Sequence, residues 1–119
     1  MYLATKTKEV AFKSSWHKEL DKIVTQAKHY NGWFTEENVL FALLSWSKQL
    51  TKAGLETWLA KYDINLNSPK TVALIMAGNI PLVGFHDFLV TLITGNKALV
   101  KLSSNDAHLL PFIAKYIIH

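Results

Sequence analysis

Two short stretches hold the residue types with the most chemical potential. Ala77-Gly78-Asn79-Ile80-Pro81 ends the apolar run TVALIMA, residues 71–77. Lys101-Leu102-Ser103-Ser104 ends a second run, KALVKL, residues 97–102. A glycine lets a ligand approach the backbone closely. Asn79 offers amide N–H donors beside a helix start, where backbone N–H groups also lack partners. Donors placed so can hold a phosphate or a developing oxyanion. A lysine ammonium followed by two hydroxyls can contact a ribose or a phosphate. Plain structural roles suit the same residues. Gly-Asn is good turn chemistry, Asn79 can cap its helix, Lys101 can be an edge lysine, and the serines can form an N-cap.

Other chemistries are set aside by residue type. The chain has no cysteine, so disulfides, thiolate zinc sites and a thiol nucleophile are absent from it. There is no GxGxxG fingerprint, no Walker A loop and no serine in a GxSxG setting. His17, His29, His86, His108 and His119 show no metal-ligand spacing, and no metal site is expected. His86 and Asp87 are neighbours on a helix, so their side chains are expected to diverge rather than form a catalytic pair.

The elements that must position these residues follow from periodicity. Residues 1–13 have no clear period and read as an arm. Ser14-Ser15 offers an N-cap, and Trp16, Leu20, Ile23, Ala27 and Tyr30 then form one helical stripe. Asn31-Gly32 ends this helix, with the glycine in a left-handed C-terminal position. Thr35 opens a second helix with Glu36 and Glu37 in its first turn, and Val39, Leu43, Trp46 and Leu50 line its face. Thr51 can cap a third, carrying Leu55, Trp58, Leu59 and Tyr62. The tryptophans 16, 46 and 58 read as core. YDINLNSPK is loop-like.

From Thr71 the pattern changes. TVALIMA suits a strand buried on both faces of a parallel sheet. Pro81 fixes a first helical turn, and residues 82–94 read as a buried helix stopped by Gly95-Asn96. KALVKL is the next strand. Ser103-Ser104-Asn105-Asp106 holds a capping signature for a last helix, with Pro111 near its first turn. The expected fold is α/β: a helical segment over residues 1–66, then a βαβα unit of a Rossmann-like parallel sheet over 67–119. In such sheets ligands bind beyond the carboxyl ends of the strands. Both corners fall there, on one rim.

Composition bounds the partners. Of 119 residues, 50% are hydrophobic and 18% charged, which suits one folded domain with a real core. The formal charge is +4, yet all thirteen basic residues are lysines. Arginine is the usual bidentate reader of guanine and phosphate, so nucleic acid is not expected as a partner. The start shows no apolar signal segment. Residues 80–95, the longest apolar stretch, are interrupted by His86, Asp87 and Gly95, so no membrane span is expected and the location is read as cytoplasmic.

At the two corners the chain resembles a known family. "VALIMAGNIPLVGFHDFLVTLITGNKALVKLSS" is similar to the acyl-CoA reductases related to the bacterial luminescence fatty-acid reductase, within the aldehyde dehydrogenase superfamily. The paired elements are G-N-I-P and G-N-x-x-x-V-K-x-S. The wider superfamily reads roughly P-W-N-F-P and G-N-x-V-V-x-K-P-S. The resemblance spans about residues 70–118. It implies an incomplete aldehyde-dehydrogenase-like cofactor-binding domain. Asn79 matches the amide that stabilises the thiohemiacetal oxyanion. Met76, Ala77 and Gly78 would run along the cofactor, and Lys101 would hold the adenosine ribose, with Ser103 beside it. Ser104 stands where NAD-preferring relatives carry an acid, so NADP(H) is the implied cofactor. Ala77-Gly78 replaces a common Pro-Trp, and Leu102 replaces a common proline; both departures favour the acyl-CoA reductase branch.

The superfamily uses a cysteine nucleophile that this chain lacks. The chain is therefore expected to be the amino-terminal part of an enzyme that reduces fatty acyl-CoA to aldehyde with NADPH, and to be inactive alone. Exposed apolar surface over residues 82–93 and open strand edges are expected to drive self-association. The alternative is a complete small α/β module that binds a protein partner or nucleic acid through its lysine-rich helices.

Overall fold

The computed structural model describes the backbone of residues 6–64 and 68–118, and the side chains of all of these except 6–14 and 118. Residues 1–5 of the expected arm, residues 65–67 of the expected loop and His119 lie outside the described residues. The elements run α1 (Lys6–Tyr30), α2 (Glu36–Gln49), α3 (Lys52–Leu59), β1 (Thr71–Ile75), α4 (Phe85–Ile93), β2 (Lys97–Lys101) and α5 (Leu109–Ile118). The fold is α/β: three helices, then a βαβα unit of Rossmann-like type.

The first helix starts earlier than the cap signal indicates. Ser14 and Ser15 lie inside α1, which already runs from Lys6. KTKEVAFK has no glycine or proline, and its lysines, glutamate and alanine are good helix formers, so nothing halts the helix before the serines. The caps of α2 and α3 follow expectation. Thr35 Oγ1 accepts from the Asn38 amide at 3.2 Å, and Thr51 Oγ1 accepts from the Gly54 amide at 3.0 Å.

The largest departure is at α4. Its first residue is Phe85, and Gly84 occupies the cap without a side-chain hydrogen bond. Pro81 does not begin the helix. Residues 81–84 form turns instead, and Leu82 is left-handed, with φ of 60°. That conformation costs a leucine about 1–2 kcal/mol. Its side chain is nonetheless buried, which contributes about as much in return. The far end of α4 is a Schellman motif. Gly95, with φ of 77°, donates to the Leu92 carbonyl at 3.0 Å, and Asn96 donates to that of Thr91 at 3.0 Å.

β1 and β2 pair in parallel, Thr71 beside Lys97 and Ile75 beside Lys101. Asn96 ties their starts: its Oδ1 accepts from the Lys70 amide at 2.8 Å, while the Lys97 amide donates to the Lys70 carbonyl at 2.8 Å. Helix α4 packs on both strands, and Val72, Leu74, Ala98 and Val100 turn toward the core. The opposite face is bare. Ile75 is 82% exposed and Leu99 63%, so the strands are covered on one face, not both.

Helix α1 packs on α2 and α5. One core joins Val24 and Ala27 of α1 to Val39, Met76, Leu82, Phe85, Phe88, Leu89, Leu109 and Leu110. Trp46 meets Phe85 edge-on at 4.8 Å between centroids, and Trp16 stacks on Phe112 at 5.2 Å. The surface of residues 82–93 expected to lie open is therefore mostly covered: Leu82, Phe85, Phe88 and Leu89 are buried. The apolar surface that stays open lies on the far side of the sheet.

Asp106 caps α5, with Oδ1 accepting from the Leu109 amide at 3.2 Å, and Pro111 falls in the first turn as expected. Asp106 is buried, and desolvation raises its pKa above 3.8 against the opposing pull of backbone hydrogen bonds and His108. The folded chain thus holds this proton more tightly than the unfolded chain. The associated stability is complete below pH 3.8 and is lost as pH rises through the elevated folded value. Asp106→Asn keeps the acceptor and removes the charge. It is expected to match or exceed the wild type in denaturant unfolding at pH 7, with the advantage shrinking toward pH 3.5.

Candidate functional site

The two corners lie on the same rim and touch. Ile75 and Lys101 are register partners at the carboxyl ends of their strands. The Met76 amide extends the ladder by donating to the Lys101 carbonyl at 3.0 Å. Beyond it, Gly78 presses against the second corner. A Cβ at Gly78 would lie 2.8 Å from Ser103 Cβ and 3.0 Å from Asn105 Cβ. The glycine is needed because another loop occupies the place of a side chain.

A residue from a distant helix end joins both corners. Asn31 is buried, and its Nδ2 donates to the Gly78 carbonyl at 2.7 Å and to the Asn105 carbonyl at 3.1 Å. Its Oδ1 accepts from the Trp33 amide at 3.0 Å. Asn31-Gly32 does end α1, but not by a left-handed glycine. Among the described glycines only Gly95 has positive φ; the asparagine side chain turns the chain instead. The sequence signal was present, since Asn-Gly marked a turn, but nothing local pointed to partners 47 and 74 residues away.

The remaining candidates divide into packed and free. Met76 is buried, and a Cβ at Gly84 would lie 3.1 Å from its Cγ, so its side chain faces the core. Ala77 is exposed. Asn79 is exposed and lies six positions before Phe85, so it does not cap α4 or sit at its start. Lys101 and Ser104 are exposed. Ser103 is half-buried, its Oγ accepting from the Asn105 amide at 3.2 Å. Among the described residues, no side-chain hydrogen bond or ion pair engages Asn79, Lys101 or Ser104. Residues 76–84 and 101–105 contain one lysine and no carboxylate, so the rim presents a cation and neutral donors.

Asn79 also lines a cleft of about 670 Å³ between this corner and α2. Trp33, Phe41, Trp46, Ile80 and Pro81 form much of its apolar wall. Asn38 shapes its edge by donating Nδ2 to the Trp33 carbonyl at 3.0 Å. Trp46, expected in the core, packs against it and also lines the cleft, while Trp33 and Phe41 lie there without belonging to any helical stripe. His86 and Asp87 do meet, Nδ1 to Oδ1 at 3.2 Å. Rotation about the side-chain bonds closes the gap that adjacent helical positions leave. Both are exposed, and such a pair adds little.

A family model described as acyl-CoA reductase (LuxC) matches residues 17–119. The chain belongs to this family. The match includes the helices α2 and α3 and most of α1, which carry no motif recognisable alone. No curated protein and no solved structure matches the chain. Among the described residues of this family member, no helix is long and apolar enough to cross a membrane, and no histidine–carboxylate group could hold a metal ion.

Two glycines of this reductase-family chain make a controlled comparison. Gly78→Ala is expected to lower stability by about 1–3 kcal/mol, because two neighbouring side chains must give way. Gly32 has open space around it and no positive φ. Gly32→Ala is expected to be neutral or stabilising by up to about 1 kcal/mol. Denaturant unfolding of both variants measures the difference.

Proposed function

We propose that this chain forms the nucleotide-facing rim of an enzyme that reduces fatty acyl-CoA to aldehyde with NADPH, with a thiol nucleophile supplied outside these 119 residues. The observation that carries the reading is the contact between the two corners on one carboxyl rim, with Asn79, Lys101 and Ser104 exposed and, among the described residues, without side-chain partners. Membership of the acyl-CoA reductase family supports the reaction class and an acyl-CoA substrate.

The residues present fit a phosphorylated nucleotide. Lys101 brings a positive charge to the open side of the sheet, Ser103 and Ser104 bring hydroxyls, and no carboxylate stands between them to repel a 2′-phosphate. NADPH, when bound, supplies the hydride. Lys101 and Ser104 would hold the ribose and its phosphate. The Met76–Gly78 backbone would line its path, since the Met76 side chain is turned inward. Asn79 presents an exposed amide at the boundary between the rim and the apolar cleft. It would donate to the acyl oxygen as negative charge develops there, an interaction stronger in the transition state than in the ground state. The cleft between α2 and Ile80-Pro81 would take the start of the acyl chain. The exposed face carrying Ile75 and Leu99 would support self-association.

NADPH fluorescence titration of this chain tests the nucleotide part. Saturable binding is expected, weakened about tenfold by Lys101→Ala, a loss typical of one charge-assisted contact. Ser104→Asp is expected to move preference from NADPH toward NADH. An unchanged or stronger preference for NADPH in Ser104→Asp, or no saturable binding at millimolar NADPH, refutes the assignment.

A further inference from the structure

We propose that Asn31 is a positioning residue that fixes the separation of the Asn79 corner and the Lys101–Ser104 corner, so that one nucleotide can engage both; the inference rests on the nucleotide reading above. The geometry singles out this side chain. A primary amide has two N–H donors and one acceptor oxygen, and Asn31 uses all three. The two donors go to Gly78 and Asn105, one in each corner, and the oxygen receives the Trp33 amide. The orientation is self-consistent. Reversing the amide would set its oxygen against two carbonyls and its N–H₂ against an N–H. The main chain of Asn31 is equally committed, donating to Ala27 at 3.0 Å and accepting from Phe34 at 2.9 Å. The clamp is therefore anchored in α1, which packs on α5 behind the second corner.

Beyond the core that Met76, Leu82 and Leu102 share, few polar contacts set the spacing of the corners. The β ladder stops at the bond from Met76 to Lys101, and among the described residues no hydrogen bond runs directly from Gly78 to Ser103 or Asn105, which close over its Cα. Contact of that kind limits approach but does not prevent separation. The Asn31 amide supplies the missing restraint because separating the corners would leave a buried donor or a carbonyl unpaired. A ligand that reaches from the ribose corner to Asn79 depends on that spacing. A ligand that occupies only the ribose corner does not.

Asn31→Asp tests this on the same chain. It keeps the acceptor for Trp33 and turns both donated bonds into oxygen–oxygen contacts. If this variant does not fold, Asn31→Ser, which loses the reach without adding charge, carries the same comparison. The first readout is amide hydrogen exchange. Exchange is expected to rise together over residues 78–84 and 103–106, by about tenfold or more, with β1 and β2 still protected. A rise confined to residues 31–34, or a uniform rise through the strands, overturns the proposal. The second readout compares two probes. NADPH is expected to bind about tenfold more weakly, while 2′,5′-ADP, which reports on the ribose corner alone, changes by less than about twofold. Equal losses for both probes mean a merely structural role and also overturn it. If the wild type binds neither probe, the nucleotide reading fails, and the exchange pattern alone decides whether Asn31 couples the corners.

Discussion

A parallel pair of strands cannot be closed by a tight turn; the chain must cross back over the sheet before it can lay down the second strand. Everything placed at the rim follows from that constraint. The crossover here is α4, and its return puts Ile75 beside Lys101. Two segments more than twenty residues apart then leave the sheet in the same direction and meet. An antiparallel pair would have sent them to opposite ends. The combination of an amide in one loop with a cation and hydroxyls in the other is thus a property of strand direction before it is a property of any side chain.

What was legible in the sequence was local chemistry. Thr35 and Thr51 accept hydrogen bonds at the helix starts where a capping residue is needed, and Gly95 adopts the left-handed angle at the helix end where a glycine is cheapest. Both apolar runs became strands. The failures share a cause, which is the weight of distant partners. Gly32 resembles Gly95 in composition, but the carbonyls of Gly78 and Asn105 hold the Asn31 amide in the orientation that turns the chain onto Trp33, so the left-handed angle is unnecessary. Pro81 is a sound first-turn residue, but Leu82 finds a buried place only by reversing its φ, and the helix waits until Phe85. Neither outcome can be read from a window of a few residues.

The sheet shows a related limit. TVALI and KALVK carry apolar residues on both sides, and a parallel sheet normally buries both. The structure covers only alternate positions, leaving Ile75 and Leu99 open. The apolar run therefore described the surface a strand can bury, and the chain at hand supplies α4 for one side of it. The same distinction applies to α4 itself, whose nearly all-round apolarity is met by α2 on one side and by the strands on another.

The asparagines of this chain show how structure separates roles that composition leaves merged. Asn31, Asn38 and Asn96 each spend their amides on backbone groups, and each fixes a junction: the two corners, the α1–α2 turn, and the starts of the two strands. Asn79 has the same donors and, among the described residues, no such task. If the helix began at Ile80, with Pro81 in its first turn, Asn79 would lie where a cap belongs and its side chain would be drawn onto the helix. The turns over residues 81–84 move the helix start away, and Gly84 takes the cap position without using a side chain. A lengthened corner, held by a left-handed leucine and braced from α1, thus keeps one amide out of the structural hydrogen-bond network. That is the physical condition under which an asparagine can serve a substrate rather than its own fold.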